Sequence, residues 1–324
     1  MRIAVIGHDQ ISPRQYLLWE KTRQLDLAEV EVLAPEKWHG ETADPTKITP
    51  VKTQFEGDIF NYMMNVEPHI RRFKPDWIVS MTELWRQQSL INLSTAKKIN
   101  CKIAFFRWEN LPLDDQLPNL YQHIEKQVLK HADLIICGNE DAKEITEKRT
   151  SVPIIKLLET GIDTAMFKPT GEPEKKSVLY LGRNAPEKRV EWIKNIVMGT
   201  PYAFTNANAG LYPYSELPKL ISSHSVGAIA SIDLPTWREQ CCYVVGEMLA
   251  CGTPVVSTDA GSIPEIWGSC QNVFISPQHD LNKFWHNIID VVENPPDRDV
   301  AVNFIRENYS NEVLARRYMD ALNG

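Results

Sequence analysis

No G-x-G-x-x-G string follows the first apolar strand, where the chain reads Gly7-His8-Asp9-Gln10. No P-loop string G-x-x-x-x-G-K-[ST] occurs either. The first absence weakens a dehydrogenase reading and the second a kinase reading. The six cysteines include no C-x-x-C pair, and no histidine cluster lies at zinc spacing. Cys101, Cys137 and Cys251 sit in or beside apolar runs and read as buried thiols. A reduced, cytoplasmic chain is therefore expected. No apolar run approaches the ~20 residues of a membrane span. The five-residue apolar strand after Met1-Arg2 is too short for a signal peptide. Positive charge is also lacking: Lys and Arg number 35 against 42 acids, a formal net charge of −7. That argues against nucleic acid and against non-specific binding to an anionic membrane surface. Short repeats and low-complexity segments are missing.

What is present is ordinary globular composition over 324 residues, 43% hydrophobic and 24% charged, enough for about two domains. Apolar strands alternate with helical stretches. Strands are expected near 3–6, 30–34, 75–80, 102–106, 132–137 and 152–157. Helices are expected near 12–25, 59–73 with a break at Pro68, 90–99, 117–130 and 140–148. The stretch 35–50 reads as loop. Such alternation predicts an open parallel sheet with helices on both faces. A second series begins at Ser177, after a Pro- and Gly-marked charged segment, Gly171-Glu172-Pro173-Glu174-Lys175-Lys176.

The second series is organised around EQCCYVVGEMLACGTPVVSTDAGSIPEI, Glu239 to Ile266. Tyr243 to Ala250 reads as a helix stopped by Gly252. Pro254 to Thr258 reads as a buried strand. Asp259-Ala260-Gly261-Ser262 is a small-residue loop at its end. Glu239 and Glu247 lie eight steps apart, roughly 12 Å along a helix and about 80° out of phase. Both can face one ligand only if Glu239 sits in the loop before the helix. Upstream, Gly182-Arg183-Asn184-Ala185-Pro186-Glu187-Lys188 follows another strand. Such a turn exposes N–H groups toward a phosphate; Arg183 offers a fork of donors and Lys188 a point charge.

Together these strings resemble the retaining glycosyltransferases of family 4, which have the GT-B fold. The likeness rests on Glu239 and Glu247 at E-x7-E spacing, on Ala250-Cys251-Gly252-Thr253-Pro254-Val255-Val256, on Asp259-Ala260-Gly261 with Ile263-Pro264-Glu265, and on the G-R-x-x-P-E-K string at 182–188. The resemblance implies two Rossmann-like, doubly wound α/β domains facing a central cleft. An acceptor-side domain would cover 1–165, with a last helix near 311–324 packing back on it, and a donor-binding domain 166–310. A linker, Glu159 to Pro169, joins them. The implied reaction moves a sugar from a nucleoside-diphosphate-sugar to a hydroxyl of a sugar, glycan or lipid-linked acceptor, with retention of anomeric configuration. Arg183 and Lys188 would hold the diphosphate, Glu239 the sugar hydroxyls and Glu247 the ribose. Gly182 and the backbone at Gly261, Ser262 and Ile263 would complete the donor site. No metal and no cofactor beyond the co-substrate is expected, because two cations neutralise the leaving diphosphate. A lipid-linked acceptor leaves peripheral membrane contact open.

The chain also departs from the family. Gln240-Cys241-Cys242-Tyr243 stands where glycines usually let the backbone approach the donor sugar, and the first loop lacks the usual glycine pair. This keeps open a degenerate protein that binds a nucleotide or partner without turnover. A nucleotide-sugar epimerase on the same fold is a second alternative. In the first half no histidine occupies the segment Arg107 to Glu109. His8, Arg107 and Glu109 are the acceptor-side candidates, each with a structural role as the alternative. Glu83 and Trp85 are further acceptor candidates. Trp237 either stacks on a sugar or packs in its loop.

Overall fold

The computed structural model describes residues 1–112, 117–173, 176–208 and 210–324. They divide into unit 1, Met1–Gly161 with Asn311–Gly324, and unit 2, Ile162–Ser310. Glu174 and Lys175 of the Pro- and Gly-marked segment lie outside the described residues.

Unit 1 runs β1 (Arg2–Ile6), α1 (Pro13–Gln24), β2 (Glu29–Pro35), β3 (Lys37–Trp38), β4 (Glu41–Thr42), β5 (Thr49–Val51), β6 (Thr53–Gln54), β7 (Met63–Met64), α2 (Glu67–Phe73), β8 (Trp77–Ser80), α3 (Gln87–Ile99), β9 (Lys102–Arg107), α4 (Asn119–His131), β10 (Leu134–Cys137), α5 (Glu140–Glu147) and β11 (Ile154–Lys156). Its main sheet is parallel, in the order β11-β10-β9-β8-β1-β2-β5. Ile3 to Ile6 are wholly buried, as a central strand covered on both faces must be. β1 pairs with β2 on one side, Ile3 opposite Val30, and with β8 on the other, Ile3 opposite Trp77. The winding therefore reverses between β1 and β8.

Two stretches differ from the sequence reading. The expected helix over 59–73 is only α2, starting at Glu67. Pro68 sits in its first turn, where a missing N–H costs nothing, so it opens the helix instead of kinking it. Before it, Asp58 Oδ1 accepts from the N–H groups of Phe60 and Asn61 at 2.9 and 3.2 Å. This local turn competes with helix, and β6 and β7 close as an antiparallel pair around it. The expected loop over 35–50 holds the small β3–β4 ladder and reaches β5, which extends the sheet beside β2.

Unit 2 runs β12 (Ser177–Gly182), α6 (Val190–Met198), β13 (Ala203–Asn208), α7 (Leu217–Ser222), β14 (Val226–Ile229), α8 (Tyr243–Ala250), β15 (Val255–Thr258), α9 (Ile263–Trp267), β16 (Val273–Ser276), α10 (Leu281–Glu293) and α11 (Arg298–Asn308). The sheet is parallel, in the order β13-β12-β14-β15-β16, so its winding reverses between β12 and β14. Its core joins Val178, Tyr180, Ile193, Val226, Val256 and Phe284. Gly252 takes φ +75° after α8, the left-handed stop expected there, and Thr253-Pro254 leads into β15. The string Asp297-Arg298-Asp299, which has the Asp-x-Asp pattern, caps α11: Asp297 Oδ1 accepts from Asp299 N at 3.0 Å.

The final helix, α12 (Asn311–Asn323), belongs to unit 1. It packs on α1, with the rings of Trp19 and Tyr318 5.2 Å apart and a Lys21–Glu312 ion pair at 2.9 Å. Tyr318 Oη donates to Leu158 O at 3.0 Å. Burial of these two large rings is worth several kcal/mol at roughly 25 cal/mol per Å².

Candidate functional site

In open parallel sheets, ligands sit beyond the C-terminal strand ends where the winding reverses. In unit 2 that is the end of β12 beside the end of β14. The turn after β12 presents Arg183, whose side chain is 64% exposed and touches only Glu187 among the described ion pairs, at 3.2 Å. Lys188 points the other way and pairs with Glu239 Oε1, its ammonium lying 4.8 Å over the Trp237 ring. The next residue holds this aim. Arg189 takes φ +49°, and its guanidinium donates to Ala230 O at 2.7 Å and Gln278 O at 2.8 Å. It thereby ties the turn to the end of β14.

Glu239 lies in the loop before α8, the placement that lets it and Glu247 face one ligand. Its carboxylate is buried and also accepts from Ser231 Oγ at 2.6 Å. Gly261 explains why its backbone stays put. With φ +50°, a Cβ on Gly261 would stand 2.3 Å from Glu239 O, so only glycine fits there. Ser262 N donates to Glu239 O at 3.1 Å. Gly261 N is spent on Asp233 Oδ1 at 2.9 Å, and Ile263 N on Ala260 O at 3.2 Å. The backbone N–H groups of 261–263 are thus all engaged within the protein in this structure, that of Ser262 by Glu239 itself. Glu247 is buried in α8 and accepts from Tyr214 Oη at 3.3 Å. The Tyr214 ring leans on Phe167, centroids 5.4 Å apart.

Cys242 occupies a left-handed position, φ +52°, immediately before α8. A side chain there costs about 1–2 kcal/mol relative to glycine's freedom. Burial, and next the Glu239 carboxylate beside it, push the thiol pKa up, so it stays protonated. Ser231, Arg189, Asp233 and Tyr214 carry no local signal in the sequence. They join the site only because their strand ends meet.

In unit 1 the corresponding point lies between β1 and β8. His8 Nδ1 meets Tyr62 Oη at 3.1 Å, and its ring is 4.8 Å from that of Trp38. Burial lowers its pKa despite nearby Asp9, leaving it neutral. Asp9 is pushed well above the usual carboxylate range by burial and then by Glu159. Glu159, itself buried, accepts from Trp108 Nε1 at 2.9 Å. Glu109 accepts from Trp85 Nε1 at 2.8 Å. Arg107 is wholly buried and donates to Glu125 of α4 at 2.9 Å, which in turn binds Arg149. Of the three acceptor-side candidates, His8 and Glu109 line this edge, whereas the guanidinium of Arg107 is tied to the helix beside it.

Residues 204–294 match the family model described as "Glycosyl transferases group 1". The chain is similar to the sulfoquinovosyl transferase SQD2 of Arabidopsis thaliana, 31% identical over 61% of this chain and 45% of that one. It is also similar to the D-inositol 3-phosphate glycosyltransferase of Mycobacterium marinum, 25% identical over 51% of this chain and 43% of that one. It spans less than half the length of these curated relatives. Among solved structures, sucrose-phosphate synthase from Thermosynechococcus elongatus aligns over 100% of this chain and 98% of its own, with TM-score 0.76 and 12% identity. Anabaena HepE in complex with UDP aligns over 100% of both chains, with TM-score 0.72 and 13% identity. The fold is thus that of GT-B glycosyltransferases, two parallel-sheet α/β domains.

Proposed function

We propose that this chain is a glycosyltransferase that moves a sugar from a nucleoside-diphosphate-sugar to an acceptor hydroxyl, retaining anomeric configuration and using no metal. One observation carries the reading. Lys188 meets buried Glu239 at the β12–β14 reversal, with exposed Arg183 in the same turn and Glu247 on the following helix. Arg183 and Lys188 suit two negative phosphates. Glu239 has the acceptor oxygens that sugar hydroxyls need, and Glu247 those for a ribose. The likeness to a fold that holds UDP in HepE supports the same ligand class here.

In the reaction so read, the bond from the anomeric carbon to the diphosphate breaks and the acceptor oxygen bonds to that carbon. The acceptor proton leaves with the diphosphate. Arg183 and Lys188 stabilise the charge developing on the leaving group, the largest contribution a fixed charge makes to catalysis. Lys188 must then share its ammonium between Glu239 and phosphate.

The test is a thermal-shift panel of UDP, GDP, ADP and CMP with their sugar conjugates. Saturating ligand at about 100 times its dissociation constant adds roughly 2.7 kcal/mol. One nucleoside diphosphate is expected to stabilise the protein, and Arg183→Ala to weaken that response. No stabilisation by any of them would sink the donor assignment and favour a protein without turnover.

A further inference from the structure

The unit 1 edge has a chemistry of its own. Four of its seven strand ends contribute a carboxyl group: Asp9 after β1, Glu83 after β8, Glu109 after β9 and Glu159 after β11. The cations are already committed. Arg86, 3% exposed, is clamped by Glu83 through Nε and Nη2, and Arg107 is held by Glu125 through Nη1. Arg14 faces Glu159, and His8 is neutral.

The hydrogen bonds left open are of both kinds. Glu159 is buried; its Oε2 serves Trp108, while its Oε1 has no hydrogen-bond partner. Glu109 Oε2 is buried with no hydrogen bond, and so are the donors Arg107 Nε, 4.0 Å from it, Arg107 Nη2 and Arg86 Nη1. A buried orphan of either kind costs about 1–3 kcal/mol until a ligand or water meets it. A hydroxyl donates and accepts, so it satisfies both. A phosphate offers only acceptors and brings its negative charge beside the Glu109 and Glu159 carboxylates. Beside these groups the Phe60 ring is half exposed, 5.9 Å from that of Trp85, an apolar wall for the C–H face of a sugar.

We infer that this edge, with Glu109 and Glu159 as its hydroxyl-accepting groups, binds an uncharged polyhydroxyl acceptor and rejects a phosphorylated one. The inference rests on the donor reading above, since it names the second substrate of the same reaction.

The test uses the full chain and matched pairs: glucose, fructose and myo-inositol, each against its monophosphate. Release of nucleoside diphosphate is followed from the sugar conjugate that stabilises the protein, and the Trp85 indole N–H signal is followed by NMR. At least one neutral member is expected to raise the rate and shift that signal, with its monophosphate at least tenfold weaker. Glu83→Gln releases Arg86 and is expected to narrow that preference at least tenfold. A phosphate equal to or better than its neutral partner overturns the inference. So does a panel in which no neutral sugar acts on either readout. Nucleoside diphosphate stabilisation in the same samples separates the two failures. If it is present, only the acceptor assignment falls; if it is absent, the donor reading falls and this inference with it.

Discussion

The two units carry the same device with different side chains. In each, a parallel sheet reverses its winding next to the first strand, and the loops at that point hold the polar side chains. In unit 2 those loops bring up Arg183 and Lys188, one exposed and one shared with Glu239. In unit 1 they bring up Asp9, Glu83, Glu109 and Glu159, with the neighbouring guanidinium groups already paired. One topology therefore offers a cationic edge fit for a diphosphate and a carboxyl-rich edge fit for hydroxyls. Fold sets the place of a site, and the loop residues set its chemistry.

The sharpest way to break this contrast is at Lys188. Lys188→Ala is expected to lower transfer by about 10²–10³-fold, the scale of losing one preorganised charge-stabilising donor. Steady-state kinetics with the stabilising donor checks this, and a drop under threefold would remove Lys188 from the cationic edge. Arg189→Ala comes next. It deletes a charged donor from carbonyls of the β14 end and the 278 loop, and about 3–6 kcal/mol should be lost over these two bonds at roughly 1.5–3 per bond. Urea unfolding would show it, and an unchanged midpoint would mean the Lys188 turn needs no such anchor. Cys242 tests local strain. Cys242→Val puts a β-branched residue at φ +52° and should cost about 2 kcal/mol more than Cys242→Gly, which should be as stable as the parent.

The smallest effect sharpens the acidic side. Asp9 and Glu159 have pKa values raised in the folded protein, chiefly by burial. The folded state then binds more protons than the unfolded chain once pH passes the ordinary carboxylate range. Stability should fall as pH rises from there through the raised folded values. Asp9→Asn is expected to flatten that decline, seen as a Tm less dependent on pH. An equal slope in parent and variant would show that Asp9 does not carry this pH dependence.

Much of the fold is legible in the sequence because buried parallel strands and amphipathic helices leave strong local patterns. Ile3 to Ile6, Val255 to Thr258 and the Gly252 stop are read from the residues alone. The helix over 59–73 is misread because its apolar spacing says nothing of the Asp58 turn, which takes the backbone bonds first. The string motifs locate Arg183, Lys188, Glu239 and Glu247. They do not reveal that Gly261 and Ser262 spend their N–H groups on Asp233 and Glu239.

By itself, then, the sequence determined the long buried strands, the Gly252 helix stop and the residue types available at each loop, because these depend on neighbours a few positions apart. Tertiary structure alone decided that Glu239 meets Lys188 and Ser231, that Arg107 is tied to Glu125, and that Asp9 is buried near Glu159. Those pairs are separated by 8 to 150 positions. Their partners are chosen by strand order and burial, which fix both which side chains converge and how strongly the lost water drives them to pair.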